Sequence, residues 1–250
     1  MDNFQLLIDL HKNAFRQGPG GDAETEMAID ISMIDKSTPL KIIDIGCGTG
    51  ASTLILAKLL NAQITAVDFI QDFLKILECR AAKMGLSEKI STQCCSMDEL
   101  PFRDEEFDVI WSEGAIYNIG FEKGVKEWNR FLKVGGILIV SEITWITDSR
   151  PLELQRHWEN EYPETDVASS KVNVLEKNGY SPIGYFVLPE HCWLENYYRP
   201  MQNSFDDFLN RHEYSDEARL IVETEKNEIM LYEKYKTYYS YGVYIARKVG

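Results

Sequence analysis

Lys41-Ile42-Ile43-Asp44-Ile45-Gly46-Cys47-Gly48-Thr49-Gly50 is the stretch that decides the fold. A short β-branched run ends abruptly at glycines, and a helix-like segment, Ser52 to Leu60, follows. That order reads as strand, turn, helix. Glycine at three alternate positions lets the chain turn tightly and lets a ligand approach the backbone where no Cβ intervenes. A bare GxG is weak evidence; the strand before it and the helix after it strengthen it.

Outward from this turn the alternation continues. Gln63 to Val67 reads as a strand, Phe69 to Met84 as a helix and Ile90 to Cys94 as a strand. Phe107 to Trp111 and Gly136 to Ser141 are two more strands, separated by the helix-like Gly120 to Leu132. Strands alternating with helices imply right-handed crossovers and a doubly wound α/β fold with a mostly parallel sheet. Residues 1–38 read as helical, broken at Gly18-Pro19-Gly20-Gly21, with a second helix from about Ala23 to Ile34. Downstream, Ile183 to Leu188 and Tyr239 to Ala246 are candidate strands, with one helical stretch expected from Asp206 to Tyr238. The chain is expected to be a single domain over 1–250, with a ligand-binding core over 39–144 and helical cap insertions at 145–168 and 190–238. Such insertions lie where they can close over a ligand at the carboxyl ends of the strands.

The 250 residues carry 26 Lys and Arg against 40 Asp and Glu, a formal charge of −14. A nucleic-acid partner is therefore not expected, because phosphate binding rests on Lys and Arg. No apolar run approaches the roughly 20 residues of a membrane span, and Met1 begins an acidic-polar segment, so neither anchor nor signal is expected. Five cysteines with no CxxC pair suit a reducing compartment, read as the cytoplasm. The adjacent His191 and Cys192 lack a second ligand pair at finger-like spacing, and no metal is expected. Nothing here sets the oligomeric state.

The ligand can be narrowed further. A dinucleotide fingerprint needs GxGxxG, whereas this turn is GxGxG with Ala51 at the third glycine's place. Asp44 would face a pyrophosphate with like charge and suits an ammonium instead. An NAD-linked oxidoreductase is disfavoured on both counts. Cys47, without a basic neighbour, reads as a small side chain packed in the turn rather than a reactive thiol. Asp68 lies 20 residues past the glycines, where a carboxylate can accept both hydroxyls of a ribose with Phe69 flanking a purine. A helix N-cap is the other reading of Asp68.

These residues resemble the class I S-adenosylmethionine-dependent methyltransferases, particularly the small-molecule branch. The resemblance rests on residues 44–50, on Val67-Asp68, on Ser96-Met97-Asp98-Glu99-Leu100-Pro101-Phe102, on Phe107-Asp108-Val109-Ile110-Trp111 and on Arg130-Phe131-Leu132-Lys133-Val134-Gly135-Gly136. It spans about residues 40–142, and the run Trp111 to Gly120 is similar to one in bacterial methyltransferases. The resemblance implies a Rossmann-like, seven-stranded sheet ending in an antiparallel hairpin, S-adenosyl-L-methionine as cofactor, and a small-molecule methyl acceptor. A cofactor-binding module without catalysis is the alternative.

The same resemblance implies roles for individual residues. Asp44 and the Gly46 backbone would hold the methionyl ammonium in a cradle completed by Cys47, Gly48 and Gly50. Asp68 would hold the ribose, with Phe69 beside the purine and Ser96, Met97 and Asp98 at the adenine edge. Whether Ser96 or Asp98 meets the amine stays open. Ser112 and Glu113 follow the fourth strand, near the reactive methyl. Glu113 is read as an attractor of the sulfonium, an orienter of the ammonium, a general base or a salt-bridge partner; Tyr117 is a further catalytic candidate. Arg16 would reach the methionyl carboxylate, with a surface linker as its other reading.

In the cap, Trp145, His157, Trp158, Tyr162, His191, Trp193 and Tyr197 suggest an aromatic-lined pocket, although each is also an ordinary core residue. Oxygen, nitrogen and carbon acceptors all fit such a pocket. Tyr232, Tyr235 and Tyr239 share helical spacing and are expected to pack in the cap's own core. The Glu and Lys run from Glu223 to Lys236 reads as a solvated helix face.

Overall fold

A computed structural model describes residues 3–250. The quoted stretch forms strand β1 (Leu40–Ile45), which pairs in parallel with β2 (Ala62–Asp68) on one side and β4 (Phe107–Ser112) on the other. With β3 (Ile90–Cys94), β5 (Leu132–Trp145), β7 (Tyr180–Val187) and β8 (Tyr239–Lys248), the order is β3-β2-β1-β4-β5-β8-β7. The first five strands are parallel, and β8 runs antiparallel between β5 and β7. The expected seven strands are all there, joined by a two-residue β6 (Asp166–Val167) paired to the end of β5. Strand order reverses between β1 and β4, and ligands of open α/β sheets bind at this switch point.

Burial of both faces explains the near-continuous apolar strands. Ile42, Ile64, Val109 and Ile139 face one layer, with Leu56 and Ala57 of α3 (Ala51–Leu59) and Ile29 of α2 (Asp22–Ser32). Ile43, Ile45, Ile110 and Leu138 face the other, against Phe121, Val125 and Trp128 of α5 (Phe121–Trp128) and Leu175 of α7 (Ala168–Lys177). The period of two sorts neighbouring residues between two cores. Helix α4 (Gln71–Lys83) adds Leu74, Leu77 and Ala81 beneath the glycine turn. Among the described residues no helix is long and apolar enough to cross a membrane.

Three expectations need revision. Strand β5 runs on past Ser141 to Trp145, because β8 supplies a ladder partner for Glu142, Ile143, Thr144 and Trp145. The expected helix from Asp206 to Tyr238 is two helices, α9 (Arg199–Arg211) and α10 (Asp216–Tyr235). Glu213 and Tyr214 between them adopt left-handed φ of 51° and 53°, and Ser215 Oγ caps α10 by accepting from the Ala218 N–H at 3.3 Å. Tyr239 opens β8 rather than sharing a helix face with Tyr232 and Tyr235, although all three are buried as expected.

The insertions contribute α6 (Leu152–Glu161) and α8 (Glu190–Trp193), the latter joined to α9 by a π-helical turn at Leu194–Tyr198. The N-terminal helix α1 (Asn3–His11) buries Leu6 and Leu10 in the same cluster as Phe205 and Phe208 of α9. A polar clamp reinforces this contact: Asp9 Oδ2 accepts from Arg211 at 2.8 Å and lies 2.9 Å from His212 Nε2. Burial pushes the Asp9 carboxyl up, but bonds from Lys12, His212 and Arg211 hold it well below the usual range. A depressed carboxyl stabilises the fold above its unfolded pKa of about 4 and loses that contribution as pH falls. Asp9→Ala should therefore lower stability in urea by about 1 to 2 kcal/mol near neutral pH, with Arg211 partly solvent-screened. An unchanged midpoint would show that α1 is held by its apolar face alone.

Candidate functional site

Two adjoining cavities open at the carboxyl ends of β1 and β4. The smaller, about 70 Å³, is lined by the glycine turn, by Arg16 to Pro19 and by Glu113 and Gly114. The turn is fastened from below: the N–H groups of Gly46 and Cys47 donate to the Val67 carbonyl at 2.8 and 3.0 Å. Gly46 has φ of 73°, and a Cβ there would lie 2.3 Å from that of Ala115. Gly50 has φ of 87°, and a Cβ there would lie 2.1 Å from Leu77 Cδ1. Both positions therefore need glycine for conformation and for space.

Asp44 lies behind this cavity, buried, with Oδ2 accepting from Thr53 Oγ1 at 2.6 Å and Ser52 Oγ at 3.1 Å. Its Oδ1 has no hydrogen-bond partner. Burial, with the charges of Glu113 and Asp68, pushes its carboxyl up to about 7. An unpaired carboxylate oxygen in a low-dielectric site fits a cationic group. Asp68 ends β2, its Oδ2 accepting from the Gly48 N–H and its Oδ1 from the Ile70 N–H, each at 2.9 Å. Burial raises this carboxyl although backbone bonds from Ile70, Gly48 and Phe69 oppose the shift. The carboxylate thus holds the glycine turn to the β2–α4 turn, and its two oxygens offer about four lone-pair sites in all.

Glu113 accepts three bonds: from Arg16 Nη1 at 3.0 Å, Thr25 Oγ1 at 2.8 Å and Trp111 Nε1 at 3.0 Å. The buried Arg16 also donates to Asp22 at 3.0 Å. The salt-bridge reading of Glu113 is the contact seen, and Arg16 is a buried wall rather than a surface linker. Ser112 is wholly buried, its hydroxyl donating to the Ile45 carbonyl at 2.8 Å, so it ties β4 to β1 outside the cavity lining. Cys47 is buried, and burial, then the charges of Asp44 and Asp68, raises its thiol well above the ordinary value.

The adenine-side residues gather more loosely. Met97 approaches the Gly46 position, while the exposed Ser96 hydroxyl donates to Asp98. Phe4 stacks on Phe69 with ring centroids 5.6 Å apart, so α1 holds the face at which a purine was expected.

The sequence marks the segment Arg16-Gln17-Gly18-Pro19-Gly20 as one able to close over a cofactor but singles out only Arg16 in it, yet Gln17 lines both cavities. Its Oε1 accepts from the Thr49 N–H at 2.8 Å, and its amide donates to the His11 and Ala14 carbonyls at 3.2 Å. Arg80 fastens the same junction, donating to Thr49 Oγ1 at 2.6 Å and to the Ala14 carbonyl at 2.9 Å. The N-terminal segment thereby closes over the glycine turn.

The larger cavity, about 600 Å³, shares Gln17, Gly18, Pro19 and Gly114 with the smaller. Of the expected cap residues, His157, Trp158, Tyr162, Trp193 and Tyr197 line it. Trp145 instead packs in the core under Arg150, and His191 lies 3.2 Å from Glu24 at the surface. Glu24, His191 and Cys192 bring ligand-type atoms within 4.8 Å of one another, a grouping invisible in the sequence. Tyr117 lines the cavity, and burial followed by the charge of Glu228 raises its phenol, which keeps it protonated. The solvated-face reading of residues 223–236 fails for Thr224, Asn227, Glu228 and Leu231, which form one wall of the chamber.

Residues 43–140 match the family model described as a methyltransferase domain. Over this segment the chain is similar to methyltransferase domains. The chloroplastic tocopherol O-methyltransferase of Arabidopsis thaliana is 29% identical over 166 residues, covering 65% of this chain and 42% of that protein. The chain spans about half the length of the curated relatives it matches. Among solved structures, YjhP from E. coli has a TM-score of 0.85 at 17% identity, covering 98% of this chain and 99% of that one. A SAM-dependent methyltransferase from Geobacter sulfurreducens, in complex with S-adenosyl-L-homocysteine, has a TM-score of 0.84 at 15% identity and covers 98% of both chains. At those identities the likeness is one of fold.

Asp68→Ala should weaken S-adenosylhomocysteine binding at least about tenfold, since charge-assisted hydrogen bonds contribute about 1.5 to 3 kcal/mol each. Calorimetry checks this, and unchanged affinity would remove Asp68 from the ribose site.

Proposed function

We propose that the chain transfers a methyl group from S-adenosylmethionine to a small molecule held in the larger cavity. The observation that carries this reading is the junction of the two cavities at Gln17, Gly18, Pro19 and Gly114. A pocket built on the β1 glycine turn there meets a chamber large enough for a separate reactant. The tocopherol relative, by its name, also methylates a small molecule.

The bound cofactor supplies a methyl group on an already activated sulfonium, so the protein's main task is alignment. Holding two reactants in line is worth about 7 to 11 kcal/mol. Asp44, through its unpartnered Oδ1, and the Gly46 backbone receive the methionyl ammonium. Arg16, fixed by Glu113 and Asp22, faces the methionyl carboxylate across the smaller cavity. Asp68 accepts the ribose hydroxyls with its remaining lone pairs, while Ser96, Met97 and Asp98 read the adenine edge. Phe69 flanks the purine once Phe4 gives up its face. Glu113 acts as the anchor of Arg16, and Tyr117, protonated, orients the acceptor. Residues 39–144 serve as the cofactor core of a single domain, with caps at 145–168 and 190–238. Free cysteines support a reducing, cytoplasmic setting. The acidic balance disfavours a nucleic-acid acceptor.

Two experiments test the reading. Purified protein given methyl-labelled cofactor and a pool of metabolites should release S-adenosylhomocysteine and label an acceptor; tight cofactor binding with no transfer to any acceptor would favour a sensor. The second uses pH. The raised Asp44 carboxyl favours the ligand-free fold while protonated, and that contribution fades as pH rises from about 4 through about 7. An ammonium needs the ionised form, so cofactor affinity should fall as pH drops below about 7, and Asp44→Asn should flatten the profile. A profile that is the same in both proteins would separate Asp44 from the ligand.

A further inference from the structure

The larger cavity has a chemical character that neither the fold nor the family dictates. Eight of its nineteen lining residues are Tyr or Trp, two are Glu, and none is Lys or Arg. The rings come from four separate parts of the chain: Tyr117 after β4, Trp158 and Tyr162 from the α6 insertion, Trp193 before the π turn, and Tyr241 on β8. Trp193 is held between Tyr232, stacked at 4.4 Å, and Tyr241 at 4.9 Å. The ring faces are therefore set before any ligand arrives, and their quadrupoles present negative charge.

The carboxylates sharpen this. Glu228 is exposed by surface area yet deep among protein atoms, because its free surface is the cavity wall. Tyr198 donates to its Oε1 at 2.9 Å. Behind it lies the buried Glu225, whose Oε1 is 3.5 Å from His11 Nε2 and whose Oε2 has no partner. Burial, then the charge of Glu225, pushes the Glu228 carboxyl up, as expected where negative charge is under-compensated. Glu161 adds a second carboxylate at the edge of the chamber. Lys171 lies behind Tyr162, but it is 3.9 Å from Glu142 and outside the lining. The net charge of −14 adds a long-range field that draws cations.

We infer that the larger cavity binds a cationic amine, its ammonium seated between Glu228 and the aromatic walls and its apolar body filling the rest of the chamber. This narrows the acceptor class and rests on the methyltransferase reading above. A neutral apolar acceptor would cover Glu228 without supplying a counter-charge, which costs free energy that an ammonium recovers. A carboxylate or phosphate ligand would meet like charge.

Phenethyltrimethylammonium, its neutral tert-butyl carbon isostere and hydrocinnamate distinguish these cases by calorimetry on protein saturated with S-adenosylhomocysteine. The ammonium should bind at least about tenfold more tightly than the isostere, and hydrocinnamate should show no saturation. Glu228→Gln should shrink the ammonium preference to less than about threefold, with Glu161→Gln moving it the same way. Equal binding of ammonium and isostere, a preference for hydrocinnamate, or a preference that survives both substitutions would overturn the inference. S-adenosylhomocysteine is first titrated alone. If it does not bind, the methyltransferase reading fails, and the ammonium preference is still measured on the unloaded protein.

Discussion

The backbone turn after β1 is the constraint on which the rest of the site depends. Gly46, Gly48 and Gly50 all take left-handed φ, so three peptide groups change direction within five residues. Such a turn has little stability of its own. It is held by the Val67 carbonyl below, by the Asp68 carboxylate at one side and by the Gln17 amide above. Two of the clamps come from the end of β2 and the third from the N-terminal segment, so the turn is held only when the β1–β2 pairing and that segment are both in place. Hydrogen bonds to a charged carboxylate are worth more than neutral ones, which makes Asp68 the strongest of the three.

Buried charge is handled differently in different parts of the molecule. Glu142 sits in the interior of β5, where burial pushes its carboxyl up and Lys171, 3.9 Å away, partly opposes the shift. Arg16 and Glu113 neutralise one another beside the cofactor pocket. Among the described residues, Asp44 and Glu228 have no Lys or Arg beside them; Glu228 lines the larger cavity and Asp44 lies behind the smaller one. Glu142 and Glu113 each have a cationic side chain within 4 Å, whereas a carboxylate without one next to a cavity is a candidate seat for a cation.

The chamber beyond the turn is assembled from distant segments. Its walls combine the insertion after β5, the turn into α9, one face of α10 and the start of β8. The insertion after β5 is far in the chain from the run of α9, α10 and β8, and the apolar cluster that joins them also takes in Leu6 and Leu10 of α1. Because α1 docks on α9 and α10 and then leads into Gln17, the same segment closes the smaller cavity and braces the larger one. The two cavities are thus coupled through one continuous stretch of chain.

The sequence by itself determined the parallel core. Its strand runs are buried on both faces, its glycines need left-handed φ, and the carboxylate at position 68 follows at a spacing that reflects one βαβ unit; all are local or near-local properties. It also pointed to the class of cofactor, through a family resemblance carried by five short blocks of the chain. Tertiary structure alone decided the rest. Glu228 lies in an ordinary Glu- and Lys-rich run, and Gln17 beside Arg16 and a Gly-Pro-Gly-Gly break, but only packing decides that either side chain turns toward a cavity. The break at Glu213 and Tyr214 depends on two non-glycine residues taking positive φ, which local propensity opposes and the docking of α9 and α10 on α1 supports. Long-range contacts of this kind leave no periodicity to read, so the acceptor chamber emerges only when the caps are folded onto the sheet.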